Sequence, residues 1–225
     1  MSIYKRYAIF MIGILLQAAG ISLVVKSLLG TSPISSVPYV LSLAFPFSLG
    51  QTTFAINMLF LLGQILILGR QFNPLQLMQI PVTMIFAAFI DFTMFLFASL
   101  LPVNYLFKCI ILLSGAALIA LGVSLQVIAN VIMLAGEGIV NAISLHWYFD
   151  FGTVKTWFDS TLVALAAIFS YLYSGSIEGI REGTLISALI TGSIARFFIH
   201  HLGQVNENGQ LILAPHLHQT NQKEK

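Results

Sequence analysis

One stretch of eleven residues returns in nearly the same form later in this chain. Gly13-Ile14-Leu15-Leu16-Gln17-Ala18-Ala19-Gly20-Ile21-Ser22-Leu23 returns as Gly115-Ala116-Ala117-Leu118-Ile119-Ala120-Leu121-Gly122-Val123-Ser124-Leu125. Each copy lies in a long apolar run that breaks into small and polar residues. The first break reads Gly30-Thr31-Ser32-Pro33-Ile34-Ser35-Ser36, the second Ala135-Gly136-Glu137-Gly138-Ile139-Val140-Asn141. The repeat restricts the fold to two related halves. Interrupted apolar segments at matching positions of two halves are the sequence pattern of a transporter-like binding site.

Apolar segments lie at about 7–29, 51–69, 75–101, 106–134, 152–173 and 183–202, each reaching or approaching the ~20 residues that a helix needs to cross a bilayer. Two shorter pieces, Pro33 to Leu49 and Gly138 to Phe149, lie between runs of the same half. At ~1.5 Å per residue they reach about 25 and 18 Å, short of a ~30 Å hydrocarbon core, so half-helices are predicted. The chain is 58% hydrophobic and 8% charged, against about 25% charged in soluble domains. Only a bilayer can solvate so much apolar surface. The N-terminal run continues to about Leu29 without a small-residue cleavage site, so a retained first span is expected rather than a signal peptide. Net charge is +2 and dispersed, which argues against nucleic acid as a partner. Cys109 is the one cysteine. It excludes an intrachain disulfide and a cysteine-based metal site, and reads as a small buried hydrophobe.

The expected fold is therefore an all-α membrane protein. It is a polytopic helical bundle of two pseudo-symmetric repeats, about 7–101 and 106–202, with about six full transmembrane helices and two short half-helices. Residues 1–203 form the membrane domain. Residues 204–225, polar and rich in Gln and Asn, are expected to be a disordered cytoplasmic tail. Two topologies fit. With re-entrant half-helices each unit crosses three times and the halves are inverted. With crossing half-helices each unit crosses four times and the halves are parallel. Both leave the termini on one side, which the distribution of Lys and Arg assigns to the cytoplasm.

Glu137 is the sharpest candidate, a carboxylate between two glycines at the second break. Intramembrane carboxylates face a cavity, a partner or an ion, and flanking glycines let the backbone unwind. The plainer reading offsets the positive end of a half-helix dipole. In the first break, Thr31, Ser32, Ser35 and Ser36 surround Pro33, which suits the opening turn of a half-helix. They could bind a polar or anionic ligand or simply cap the helix. Asn57 falls opposite Asp159 in the repeat register, and Asn141 lies in the second half-helix. Lys155 and Asp159, four residues apart, suit an intrahelical pair, with Asp159 facing Glu137 as the alternative. Asp91 and Arg196 occupy matching positions with opposite charges. They could pair as a structural or gating contact, or Arg196 could end its helix at the cytoplasmic face. Gln64, Gln76 and Gln79 could line a polar path or bond helix to helix.

Gly30-Thr31-Ser32-Pro33-Ile34-Ser35-Ser36-Val37-Pro38-Tyr39-Val40-Leu41-Ser42, Gln79-Ile80-Pro81, Ile90-Asp91-Phe92, Gly136-Glu137-Gly138, the Phe151–Lys155 run with Phe158-Asp159, and Gly179-Ile180-Arg181-Glu182-Gly183-Thr184 together resemble bacterial YczE/YyaS/YitT-type membrane proteins over about residues 7 to 202. The resemblance implies a multi-pass inner-membrane protein with no generally established activity. Many such proteins carry an acidic residue after the first-half proline, where this chain has Ile34-Ser35-Ser36.

The expected function is small-molecule transport or export at the two broken helices, coupled to protons or cations through Glu137 and Asp159. The alternative is a non-transporting membrane scaffold or partner subunit. The expected partners are the lipid bilayer and an unidentified small molecule or ion, with a homo-oligomer left open and no cofactor or metal. No nucleophile elbow, phosphate loop, zinc-protease helix or Rossmann fingerprint is present, so no enzyme is expected.

Overall fold

Polar and glycine positions decide where the helices stop, since the apolar runs alone would let them continue. The computed structural model describes residues 3–149, 151–205 and 211–213. Helix α1 (Ile3–Lys26) ends where the Ser27 hydroxyl donates to Val24 O at 2.6 Å and the chain turns through Leu28 and Gly30, at φ 60° and 129°. Helix α2 (Pro33–Ala44) opens on Pro33, whose missing N–H has no helical partner there in any case. Pro38 lies inside α2 and cannot return the usual helical N–H to the Ile34 carbonyl.

Helix α3 (Leu49–Leu68) starts at a capping box. The Ser48 hydroxyl accepts from Gln51 N–H at 3.1 Å, and Gln51 Oε1 accepts from Ser48 N–H at 3.0 Å. Two 3₁₀ turns, Gly69–Gln71 and Pro74–Met78, lead into α4 (Gln79–Leu96). Helix α5 (Tyr105–Ala129) ends at Asn130 in the left-handed conformation, φ 45°. There Arg6 of α1 donates its Nε to Ala129 O at 2.8 Å and a guanidinium N–H to Asn130 O. This places a cation on orphan carbonyls at the negative end of α5. Helices α6 (Ala135–Trp147), α7 (Phe151–Ser174) and α8 (Glu182–Leu202) follow. In the tail, β1 (Gly203–Val205) pairs antiparallel with β2 (Leu211–Leu213). The remaining tail residues lie outside those described.

Helices α1 and α5 pack antiparallel through glycine. A Cβ on Gly13 would lie 2.8 Å from Gly122 O, and one on Gly20 2.7 Å from Gly115 O. Only hydrogen at these positions allows so close an approach. Phe10, Ile14, Ile21 and Val24 of α1 form the core with Leu112 and Ile119 of α5 and with Phe86 and Ile90 of α4. Further out, α8 packs on α5, α2 on α7, α6 on α3, and α4 on α3. Leu66, Met84, Phe95 and Trp157 point outward, exposed. Among the described residues, four helices are long and apolar enough to cross a membrane, at Tyr4–Lys26, Leu49–Gln71, Pro74–Leu96 and Tyr105–Ala129. The architecture is compatible with a helical membrane protein.

Asp91 has a role that its position in the repeat did not suggest. One carboxylate oxygen accepts from Ser48 Oγ at 2.6 Å and the other from Gly50 N–H at 2.8 Å. Asp91 therefore anchors the positive end of α3 to α4. Its proposed partner Arg196 lies in α8, with a side chain outside the described residues. Substituting Asp91 with Ala is expected to lower stability by about 1–2 kcal/mol, the cost of losing an N-terminal cap, with Asn in its place costing less. Equal melting temperatures for wild type and Asp91→Ala would refute the anchoring role.

Candidate site at the half-helix ends

The two breaks lead into two short helices whose N-terminal ends meet. A Cβ on Gly136, the second residue of α6, would lie 2.3 Å from Ile34 Cδ1, at the second residue of α2, and 3.9 Å from Asn57 Oδ1. Gly138 presses against the Gln64 carboxamide, where a Cβ would come within 2.7 Å of Oε1. The glycines flanking Glu137 are therefore inside α6 and serve close packing. The backbone there is helical, contrary to the unwinding expected from sequence. Helix α6 starts at Ala135, so Glu137 is its third residue, in the first turn.

The first break is closed. Thr31, Ser32, Ser35 and Ser36 are all buried. Ser32 is the N-cap residue of α2, but it makes no side-chain cap. Its hydroxyl donates to Ser35 Oγ at 3.0 Å, and Ser36 Oγ donates to Pro33 O at 2.6 Å. The α8 end supplies the closure. Gly183 N–H donates to Leu29 O at 2.8 Å, Thr184 Oγ1 accepts from Thr31 N–H at 3.1 Å, and Ser187 Oγ donates to Thr31 O at 3.3 Å. In the sequence Thr184 stood out only as the end of the Gly179–Thr184 motif, and Ser187 not at all. Gly30, within the clamp, would place a Cβ 2.4 Å from Thr184 Oγ1.

At the second break, Gln64 and Gln79 form a reciprocal amide pair at 3.1 Å in each direction. Gln64 also donates to Ala135 O at 3.1 Å, tying α3 and α4 to the start of α6. Both glutamines are fully buried. Glu137 is half-buried. It lies within electrostatic reach of Lys155 and Asp159. No cation among the described residues stands within 4 Å of it.

Lys155 Nζ and Asp159 Oδ1 pair at 2.7 Å, with the two side chains 28% and 23% exposed. Asn57 is buried and donates from Nδ2 to Thr53 O at 2.8 Å. Asn141 is half-buried, one turn along α6 from Glu137. The structure thus gathers Ile34, Asn57 and Glu137 around one junction, with the Lys155–Asp159 pair close by. Asp91 stands apart from it, at the start of α3. An open groove of about 410 Å³ lies between α6 and α7, lined by Ile143, Phe149, Val154, Trp157 and Phe158.

No curated protein and no solved structure matches this chain significantly. The sequence profile of one family, DUF6198, matches residues 4–200, spanning both breaks and reaching from the first turn of α1 to the last turn of α8. The chain belongs to the DUF6198 family, a family of unknown function.

Proposed function

We propose that the chain is a small-molecule transporter of a bacterial cytoplasmic membrane, allied to the YczE/YyaS/YitT-type proteins. In this reading it is built from two inverted repeats. Helices α1, α3 and α4 cross in the first half, α5, α7 and α8 in the second, α2 and α6 re-enter, and both termini are cytoplasmic. Equivalent positions stand 102 residues apart, as Gly13 to Gly115 and Gly20 to Gly122. Gly13 meets Gly122 while Gly20 meets Gly115, the reciprocal pattern of a two-fold interface. The equivalent helices α1 and α5 run antiparallel, which supports inverted halves over parallel ones. The pairings of α2 with α7 and α6 with α3 exchange under the same operation, as do α1 with α4 and α5 with α8.

The observation that carries the reading is the contact of Ile34 with Gly136, positions 102 apart, at the N-terminal ends of both half-helices. Around that point Ser35 is the equivalent of Glu137, Asn57 of Asp159, and Thr53 of Lys155. Discontinuous helices that aim positive ends at one centre are how secondary transporters hold substrates and coupling ions.

The test is the melting temperature of the detergent-purified protein against a panel of small metabolites, run beside Glu137→Gln. A ligand at 100 times its Kd stabilises by about 2.7 kcal/mol, and one chemical class is expected to do so in wild type and not in the variant. A panel without effect, with a stoichiometric protein partner on co-purification, would replace transport by the scaffold reading.

A further inference from the structure

The two breaks begin with the same backbone turn and are held by different means. Leu28 and Asn130 occupy equivalent positions of the two repeats, and both are left-handed, at φ 60° and 45°. Asparagine tolerates that conformation, whereas leucine is strained in it. The Leu28 side chain is 48% exposed, so packing does little to offset the strain. Because α1 and α5 run antiparallel, the two breaks stand at opposite ends of that pair.

At the second break the turn is fixed by a guanidinium and a buried amide pair. Arg6 donates to Ala129 O and Asn130 O, and Gln64, paired with Gln79, donates to Ala135 O. At the first break the hold comes from the start of α8. Its three bonds are Gly183 N–H to Leu29 O, Thr31 N–H to Thr184 Oγ1 and Ser187 Oγ to Thr31 O, all between neutral groups. Neutral hydrogen bonds are roughly half as strong as those to an ionised group. In the register that sets Ile90 opposite Ala195, Thr184 falls opposite Gln79. The last helix of each half therefore closes one break, and it closes the strained one with the weaker chemistry.

Resting on the reading of the half-helix ends as the functional centre, we propose that the first break is the gate to that centre. In opening, the start of α8 releases Leu29 and Thr31, Leu28 leaves the left-handed region, and the second break stays shut. Strained backbone persists only where its surroundings impose it, and it collects at switch regions. The strain at Leu28 is relieved only in the open form, so it lowers the cost of opening.

Thr31 supplies the reporter. It is fully buried, and its hydroxyl has no hydrogen-bond partner among the described residues. Its clamp bonds use backbone atoms alone, so Thr31→Cys leaves them in place. The experiment times maleimide labelling of the full-length, detergent-purified protein carrying Cys109→Ala and Thr31→Cys. Leu134→Cys, 4% exposed beside Ala135, reports on the second break in the same way. Thr31→Cys is expected to label faster than Leu134→Cys. Leu28→Asn, which installs the residue of the second half, is expected to slow labelling of Thr31→Cys several-fold. Thr184→Val, which removes the acceptor of Thr31 N–H, is expected to speed it several-fold. Both leave the rate at Leu134→Cys unchanged. Hydrogen exchange of the wild type checks the same point without substitution. Residues 28–32 and 181–187 are expected to exchange together, and faster than residues 130–138.

A Thr31→Cys rate indifferent to Leu28→Asn would overturn the gate. So would Leu28→Asn or Thr184→Val shifting both cysteines alike, and so would exchange at residues 28–32 no faster than at 130–138. A metabolite response together with a rate indifferent to Leu28→Asn would keep the transport reading and remove the gate. A rate that Leu28→Asn slows, in a protein that answers no metabolite, would keep the gate and remove transport.

Discussion

Gly20→Leu is expected to abolish recovery of folded protein. A Cβ at Gly20 meets Gly115 O, Ile119 N and Ile119 Cγ1, all at 2.7 Å, so the obstruction is mostly backbone, which no rotamer change relieves. Overpacking a filled core costs about 1–3 kcal/mol even where side chains can shift. Alanine at Gly20 should fall in that range. Leucine must separate α1 from α5, and with them the apolar contacts of Ile21 and Val24 with Leu112 and Ile119. Gly122→Leu should behave alike, since a Cβ there meets Gln17 N and Gly13 O at 2.6 Å. Gly63→Ala is the control, because its Cβ meets only the end of the Ile139 side chain. Size-exclusion profiles and melting temperatures in detergent decide the matter. Gly20→Leu and Gly122→Leu running as monodisperse as Gly63→Ala would sink the glycine interface.

Gln64→Leu is the second large effect. The substitution removes three hydrogen bonds, the two of the amide pair and the one to Ala135 O, and leaves the Gln79 carboxamide buried without its partner. Hydrogen bonds between membrane helices are worth ~0.6–2 kcal/mol each, so a loss of about 2–4 kcal/mol is expected. Because part of that loss is the stranded Gln79, Gln64→Leu/Gln79→Leu should recover some of it, and a double-mutant cycle measures how much. Gln64 also holds the turn that carries Glu137. Any ligand response of the wild type should therefore weaken in Gln64→Leu beyond what stability alone explains. Additive single and double variants would show that the two amides do not act together.

The helices were legible because apolar runs and their interruptions are local properties. The structure ends α1, opens α2 at Pro33 and starts α7 at Phe151 within a few residues of the expected boundaries. The start of α6 was misjudged by three residues, Ala135 instead of Gly138, because a glycine in a sequence reads as a breaker when no neighbour is visible. Here the neighbours are Ile34 and Gln64, and they require glycine for clearance. Ser48 and Gln51 carry a capping-box spacing that could have been recognised from sequence alone. The clamp of Thr184 and Ser187 on Thr31 spans more than 150 residues, and the hold of Asp91 on α3 spans 41. No local pattern encodes such contacts. Glu137, Asn57 and Asp159 were picked out by chemistry and repeat register.

The clamp on the first break also bears on how the protein is made. Its residues lie at the start of α8, the last described helix in chain order, and the partner of α1 is 102 residues behind it. At ~5–20 residues per second, α1 waits about 5–20 s for the glycine face of α5, and the first break waits longer still for Thr184. A first half that enters a bilayer during synthesis would therefore wait there with its centre unsealed until α8 follows.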